Sequence, residues 1–144
     1  MTYNAVRTIK FGQCDPSSLV YFPTYLDILV GVVEDFFEEI GFAWPSLIRE
    51  RKLGLPTVRL DVTFKQPGFH GDRLNFALRV RQIGTSSLDL NHQITHQDKT
   101  LWLANQRIVA TSLETHRATE WPSDLRSALV QRLDHQGAPP DALA

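Results

Sequence analysis

The sequence has 144 residues, of which 42% are hydrophobic and 22% charged, a composition typical of one globular domain. Its net charge of −1 gives no electrostatic reason to expect nucleic acid or an anionic membrane as a partner. The single cysteine, Cys14, excludes an internal disulfide and a zinc site built from several cysteines. The N-terminal residues lack the pattern of a signal peptide, and no apolar stretch is long enough to span a bilayer. We therefore expect a cytoplasmic protein.

The first predicted element is a strand over residues 3–12, in which Ile9 and Phe11 share one face. After a short loop comes the strongest helical pattern in the chain. Pro23 suits the first turn of this helix, and Gly41 suits the position just past its end. The apolar residues at the three-and-four spacing of one helix face are Tyr25, Ile28, Leu29, Val32, Val33, Phe36, Phe37 and Ile40.

Period-2 alternation predicts strands in most of the remaining chain. The positions that share one face of each strand are Val58, Leu60, Val62 and Phe64, then Leu74, Phe76, Leu78 and Val80, then Leu88, Leu90, His92 and Ile94. A fourth run covers residues 100–115, and a short closing helix is predicted after Pro122. Successive hairpins make these strands antiparallel, and one helix on one face of a sheet is an α+β arrangement. We expect a single domain over residues 1–136 and a flexible tail over 137–144.

The loop before the long helix carries the motif that indicates function. Between Phe11 and Tyr25 the sequence reads FGQCDPSSLVYFPTY. This stretch resembles the signature of the 4-hydroxybenzoyl-CoA thioesterase family of hotdog-fold proteins. Asp15, the aliphatic–aromatic run 20–22 and Tyr25 match that signature in identity and spacing. The order of elements resembles the family over about residues 3–115.

The resemblance implies a hotdog fold, in which a curved antiparallel sheet of about five strands wraps a long central helix. It also implies dimers, commonly paired into tetramers, with the active site at the dimer interface. The implied activity is hydrolysis of a short, branched or aromatic acyl-CoA, without a cofactor or a metal ion. In this reading Asp15 acts as nucleophile or general base, and the backbone N–H of Phe22 polarises the thioester carbonyl. Ser18, Tyr21 and Tyr25 are the expected substrate-binding residues.

Elementary physical chemistry supports the two catalytic roles. The first N–H groups of a helix lack intrahelical acceptors and lie at the positive end of the helix dipole. Such donors stabilise the negative charge that a thioester oxygen gains when its carbon is attacked. A carboxylate near the same carbon can attack it or can activate water.

The chain departs from the family pattern in two places. Ser18 stands where the family often has Gly, so we expect it to narrow the acyl site or to add a hydroxyl to it. The 4-hydroxybenzoyl-CoA enzyme that the loop most resembles has basic residues for the CoA phosphates in one hairpin. Here that hairpin, residues 82–87, has none, although Arg79 and Arg81 precede it. The CoA nucleotide contacts are therefore left open.

Other readings of these residues stay open at the level of sequence. An Asp before Pro often only initiates a turn, and Cys14 is more typical of a small buried thiol than of a nucleophile. His92 and His96 share a strand face but would lie about 13 Å apart, too far to chelate one metal ion. His70 is the candidate acid–base residue for a hotdog dehydratase. A non-catalytic hotdog protein that binds acyl-CoA or an aromatic ligand is the main alternative to the enzyme.

Overall fold

The computed structural model describes residues 1–134, and its elements form an α+β architecture. The predicted tail over residues 137–144 lies outside the described residues. The strands are β1 (Thr2–Thr8), β2 (Leu53–Gly54), β3 (Thr57–Phe64), β4 (Arg73–Ile83), β5 (Ser87–His96), β6 (Lys99–Val109) and β7 (Thr111–Ser112). The helices are α1 (Phe22–Glu39), α2 (Trp44–Arg49) and α3 (Ser123–Gln131).

The main sheet has five strands in the order β1-β4-β5-β6-β3, and every neighbouring pair is antiparallel. Strands β2 and β7 form a separate antiparallel pair. The inward side chains of β4 alternate with outward ones as predicted, and all four predicted apolar positions of that strand are buried. These side chains pack with one face of α1 in a single core. The predicted combination of one long helix and a five-stranded antiparallel sheet is therefore confirmed.

The start and end of α1 follow the local sequence. Pro23 stands in the first turn, where its missing N–H costs no hydrogen bond. Gly41 follows the helix with a φ of 95°, a left-handed conformation that glycine adopts without a Cβ clash. The buried face of α1 consists of Tyr25, Leu29, Val32, Val33, Phe36 and Phe37. This face fixes the helix against the sheet and leaves its first turn at the protein surface.

The first strand is shorter than the sequence pattern predicts. It ends at Thr8, whereas the prediction ran to residue 12, and the chain then forms a 3-10 turn over Phe11–Gln13. Ile9 is buried, but Phe11 is 75% exposed, so the two do not share a buried face. The turn is closed when the N–H of Gln13 donates to the carbonyl oxygen of Lys10 at 2.9 Å. This turn directs the following loop toward the start of α1.

The predicted run over residues 100–115 is two strands, because the chain leaves the main sheet after Val109 and pairs through β7 with β2. The short strand β2 and the helix α2 were not predicted. Trp44 and Pro45 begin α2, and Pro45 lies in its first turn. Since Pro is favoured both after one helix and at the start of the next, sequence alone did not separate the two cases.

Strand β3 forms one edge of the main sheet. Its inward residues Leu60 and Val62 are half-buried, but Val58 and Phe64 are 57% and 48% exposed. The predicted strand is therefore present, but its burial does not alternate, because Asp61 is half-buried like its neighbours and both apolar ends of the strand are exposed within the described chain.

Candidate active site

The loop that carries Asp15 is a small hairpin at the entrance to α1. Cys14 and Val20 form an antiparallel bridge across it. The N–H of Asp15 donates to the carbonyl oxygen of Leu19 at 2.9 Å, and the N–H of Ser18 donates to the carbonyl oxygen of Asp15 at 3.0 Å. The backbone N–H and carbonyl oxygen of Asp15 are therefore both hydrogen-bonded within the loop, which fixes the direction of its Cα–Cβ bond.

The same loop is attached to the connection between β3 and β4. The N–H of Val20 donates to the carbonyl oxygen of Gly68 at 3.0 Å, and the N–H of His70 donates to that of Ser18 at 3.2 Å. These bonds join two segments that are about fifty residues apart in the chain. The Asp15 loop is thus supported by the rigid sheet, as an active-site loop requires.

The carboxylate of Asp15 is bound by Ser17. The backbone N–H of Ser17 donates to Oδ1 at 2.8 Å, and its hydroxyl donates to the same oxygen. The Ser17 hydroxyl, followed by the Ser17 amide, lowers the pKa of Asp15 below its usual value. The side chain reaches solvent, so this group is an ionised, accessible carboxylate at neutral pH.

The start of α1 offers a free backbone donor. Tyr21 is the N-cap residue but makes no capping bond with its side chain. Pro23 has no N–H, and the N–H of Thr24 donates to the carbonyl oxygen of Tyr21 at 2.8 Å. Within the described residues, the N–H of Phe22 has no acceptor. It is the donor that the first turn of α1 presents to a ligand.

A cavity of about 320 Å³ lies at the start of α1 and has Phe22 in its lining. Its lining residues are Leu19, Val20, Phe22, Tyr25, Phe64, Lys65, Gln66, Pro67 and Gly68. The rings of Phe22 and Phe64 meet edge to face, with centroids 6.2 Å apart. The cavity therefore has aromatic walls on two elements, the first turn of α1 and the end of β3.

Tyr25 forms the inner wall of the cavity. Its ring is stacked on Phe64 at a centroid distance of 6.1 Å and lies 5.1 Å from the Trp102 ring. Its hydroxyl is buried beside the Gly68 backbone and makes no hydrogen bond of normal geometry among the described residues. Burial, with a smaller effect of the Asp72 charge, raises the pKa of Tyr25 to about 12, so the phenol stays protonated.

The five site residues predicted from the sequence lie along one segment, from the Asp15 loop into the first turn of α1. Phe22 and Tyr25 line the cavity. Ser18 is exposed and has a φ of 68°, and Tyr21 is 58% exposed at the helix start. The structure does not place Asp15, Ser18 or Tyr21 in the cavity lining. Their roles toward substrate stay predictions.

The other candidate residues do not combine into a second site. His92 is buried with its Nε2 2.8 Å from the Gln106 amide oxygen, whereas His96 lies 3.6 Å from the Asp72 carboxylate. His70 is exposed and packs edge to face against Phe11, without an ion pair to an acid among residues 1–134. In that same range no three His, Cys, Asp or Glu side chains form a group that could hold a metal ion.

Sequence reasoning missed Ser17, Phe64 as a cavity wall, and Gly68. For Ser17 a signal existed, because a residue two positions after Asp is where an Asx-turn places its N–H donor. For Phe64 and Gly68 the local sequence held none, since their roles come from the contact between the β3–β4 connection and α1.

Comparison with known proteins identifies the family. The family model described as the thioesterase-like superfamily matches residues 9–129. The chain belongs to this thioesterase-like superfamily. Its class of activity is thioester hydrolysis, and the enzyme is favoured over the non-catalytic alternative.

Individual relatives of this thioesterase-like chain agree with that assignment. A 1,4-dihydroxy-2-naphthoyl-CoA hydrolase from Synechococcus elongatus is 28% identical over 132 residues, covering 91% of both chains. The crystal structure of a 1,4-dihydroxy-2-naphthoyl-CoA thioesterase from Synechocystis superposes with a TM-score of 0.83 at 20% identity, covering 90% of this chain and 96% of that one. A gentisyl-coenzyme A thioesterase structure gives 0.78 at 25% identity, covering 89% and 99%. The fold is therefore the hotdog fold. Among the described residues, no helix combines the length and apolar character needed to span a membrane.

Proposed function

We propose that this protein hydrolyses a compact aromatic acyl-CoA thioester to the free acid and CoA. The observation that carries the proposal is the junction of the Asp15 loop and α1. There an ionised carboxylate precedes, in one short hairpin, the helix whose Phe22 N–H has no acceptor in the described chain. An aromatic-walled cavity has Phe22 in its lining.

In the proposed reaction the thioester carbonyl oxygen accepts a hydrogen bond from the Phe22 N–H. As general base, Asp15 takes a proton from a water whose oxygen bonds to the acyl carbon. The carbon–sulfur bond then breaks, and the thiolate of CoA leaves and takes up a proton. As nucleophile, Asp15 itself bonds to the acyl carbon, the carbon–sulfur bond breaks with release of the CoA thiolate, which takes up a proton, and water then cleaves the resulting mixed anhydride to free acid and Asp15 carboxylate. Both routes need the ionised carboxylate and stabilisation of the oxyanion by the helix start.

The acyl group is proposed to be aromatic because of the cavity walls. Phe22, Phe64 and Tyr25 offer ring faces and edges on which a planar acyl group can pack. A cavity of about 320 Å³ is at the small end of the usual range of about 300–1,000 Å³ for ligand sites, which disfavours a long chain. The relatives named for gentisyl-CoA and 1,4-dihydroxy-2-naphthoyl-CoA support an aromatic acyl group.

A second copy of the chain is proposed to complete the site. Strand β3 ends the sheet, and within residues 1–134 no strand pairs with its outer edge. An unpaired edge with exposed apolar side chains is a template for pairing with another chain. Since Phe64 lies on β3 and also lines the cavity, pairing at this edge would place the partner beside the acyl group.

The test is hydrolysis of a thioester panel with detection of the released thiol. The panel contains benzoyl-, hydroxybenzoyl- and hydroxynaphthoyl-CoA, together with isobutyryl- and palmitoyl-CoA. We expect the aromatic members to give the highest kcat/KM, and Asp15→Asn to lower kcat on the best of them by at least about 100-fold. Glu114→Gln, an exposed acid on the turn after β7, is the matched control and should keep the wild-type rate. Equal rates for Asp15→Asn and wild type would overturn the mechanism.

A further inference from the structure

We propose that Ser17 is a positioning residue that holds Oδ1 of Asp15 and thereby reserves Oδ2 for the reaction. This inference rests on the proposed function, because it takes Asp15 to be the group that acts on the thioester. It concerns a residue to which the sequence pattern assigned no role.

The geometry of the carboxylate carries the inference. Two donors from Ser17, the backbone N–H and the hydroxyl, converge on Oδ1. The Leu19 N–H is a weaker donor to the same carboxylate, and no hydrogen bond of normal geometry to Oδ2 is found among residues 1–134. Two donors on one oxygen oppose rotation of the carboxylate, so Oδ2 is the oxygen left for the reaction.

The backbone of the loop makes this arrangement rigid. The N–H of Asp15 donates to the carbonyl oxygen of Leu19, and the carbonyl oxygen of Asp15 accepts a hydrogen bond from the N–H of Ser18. The Ser17 amide would bind Oδ1 in any Asx-turn of this form, whatever its side chain. The hydroxyl is therefore the part of Ser17 that is specific to this chain, and it is the part that a substitution can remove without changing the turn.

Ser17 is also the main electrostatic partner of Asp15. The titratable groups on the segments bonded to this loop include Cys14 in the loop itself and His70 and Asp72 on the β3–β4 connection, and none of the three is among the causes that shift the pKa of Asp15. The lowered pKa of Asp15 agrees with this, since hydrogen bonds from Ser17 are its largest causes. Holding the carboxylate in one orientation reduces the ordering that must occur on the way to the transition state.

Loss of the Ser17 hydroxyl should affect kcat, KM and the pH profile in different ways. Loss of the hydroxyl should lower kcat, because the reactive oxygen is no longer held toward the acyl carbon. It should leave KM unchanged, because Ser17 lies outside the cavity lining. The acid limb of the pH profile should move to higher pH, because the carboxylate loses the donor that favours its ionised form.

The experiment compares Ser17→Ala, Ser17→Thr and Ser17→Val on the best substrate of the panel across pH. We expect Ser17→Ala and Ser17→Val to lower kcat about tenfold and to shift the acid limb upward. Ser17→Thr keeps the hydroxyl and should restore both values. Ser127→Ala, which removes an exposed hydroxyl bonded to the Ser123 carbonyl oxygen on α3, is the control and should match wild type.

A wild-type kcat and pH profile in Ser17→Ala would overturn the inference while leaving the proposed function intact. An unshifted acid limb in both Ser17→Ala and Ser17→Val would also overturn it, even if kcat fell. If Ser17→Ala does not fold, Ser17→Cys, which keeps the size and weakens the donor, carries the same expectation. If instead Asp15→Asn is as active as wild type, the proposed function itself is overturned. The failure of the inference about Ser17 is therefore distinguishable from the failure of the proposed function.

Discussion

The hydroxyl oxygen of Tyr25 lies only 2.1 Å from the position that a Cβ on Gly68 would occupy. Glycine at residue 68 therefore allows the β3–β4 connection to close over the buried phenol. We expect Gly68→Ala to destabilise the protein by roughly 1–3 kcal/mol, because backbone or ring must shift to remove the overlap. Chemical denaturation of both proteins measures this difference.

A second substitution, Tyr25→Phe, tests whether the Tyr25 oxygen causes the destabilisation by Gly68→Ala. It removes the clashing oxygen, and the next ring atom would lie 3.4 Å from the new Cβ, a tight but tolerable contact. Alone, Tyr25→Phe should cost little, because the buried hydroxyl makes no hydrogen bond of normal geometry among the described residues. In the Tyr25→Phe background, Gly68→Ala should cost clearly less than in wild type. Equal costs in both backgrounds would show that this contact is not the reason for glycine.

Ser18 adopts a φ of 68°, a conformation that disfavours residues with a Cβ. Ser18→Gly removes this strain but gives the unfolded chain more conformational freedom, which opposes folding. We expect a net stabilisation of about 0.5–1 kcal/mol. The comparison is Ser127→Gly on α3, where the helical backbone suits serine and glycine should destabilise by about 1 kcal/mol. Destabilisation by both substitutions would contradict the assignment of strain at Ser18.

The parts of the fold that sequence predicted well depend on periodic burial. The three-and-four spacing of α1 and the alternation of β4 and β5 each place one apolar face against the core, so the pattern records the packing. The Asp15 loop and the start of α1 were also found in sequence, because capping chemistry and the motif are local. Pro23 and Gly41 marked the first turn and the end of that helix.

The missed features depend on contacts between distant segments. Strand β2 has two residues and exists through its pairing with β7, so no periodic pattern can reveal it. Phe11 was predicted as strand but begins the 3-10 turn Phe11–Gln13. Likewise, Phe64 gained its place at the cavity from the position of β3 at the sheet edge. The hydrophobic pattern of a strand does not show whether that strand will lie at the edge of the sheet.

The buried histidine predicts how stability depends on pH. Burial lowers the pKa of His92 to about 4, although its bond to Gln106 acts in the opposite direction. In the unfolded chain His92 has a pKa of about 6.5 and binds a proton below that pH, whereas in the folded chain it stays neutral down to about pH 4. The free energy of unfolding therefore decreases as the pH falls from about 6.5 to about 4. We expect a loss of roughly 2 kcal/mol from His92 between pH 7.5 and pH 5.

Denaturant unfolding at the two pH values checks this expectation. His92→Gln has no ionisable group there, so its stability should change less between pH 7.5 and pH 5 than that of wild type. His70→Gln, at an exposed position, should retain the wild-type dependence. An identical pH dependence in His92→Gln and wild type would mean that His92 does not carry the effect.

The open edge of β3 predicts the assembly. Val58 on β3 and Val130 on α3 are exposed to similar extents, 57% and 47%. We expect Val58→Lys to weaken self-association by about tenfold or more, since a lysine on an edge strand opposes pairing. Val130→Lys adds the same charge on another surface and should leave association unchanged. Analytical ultracentrifugation over a range of concentrations distinguishes them, and equal behaviour of the two variants would place the interface elsewhere.

The most direct measurement for the catalytic account is a crystal structure with a non-hydrolysable analogue of the best CoA thioester. We predict that the carbonyl oxygen lies within about 2.7–3.1 Å of the Phe22 amide nitrogen. Oδ2 of Asp15 should face the carbonyl carbon directly or through one water, with the acyl ring against Phe64. A carbonyl bound away from the first turn of α1, with the Asp15 carboxylate turned to bulk solvent, would contradict the account.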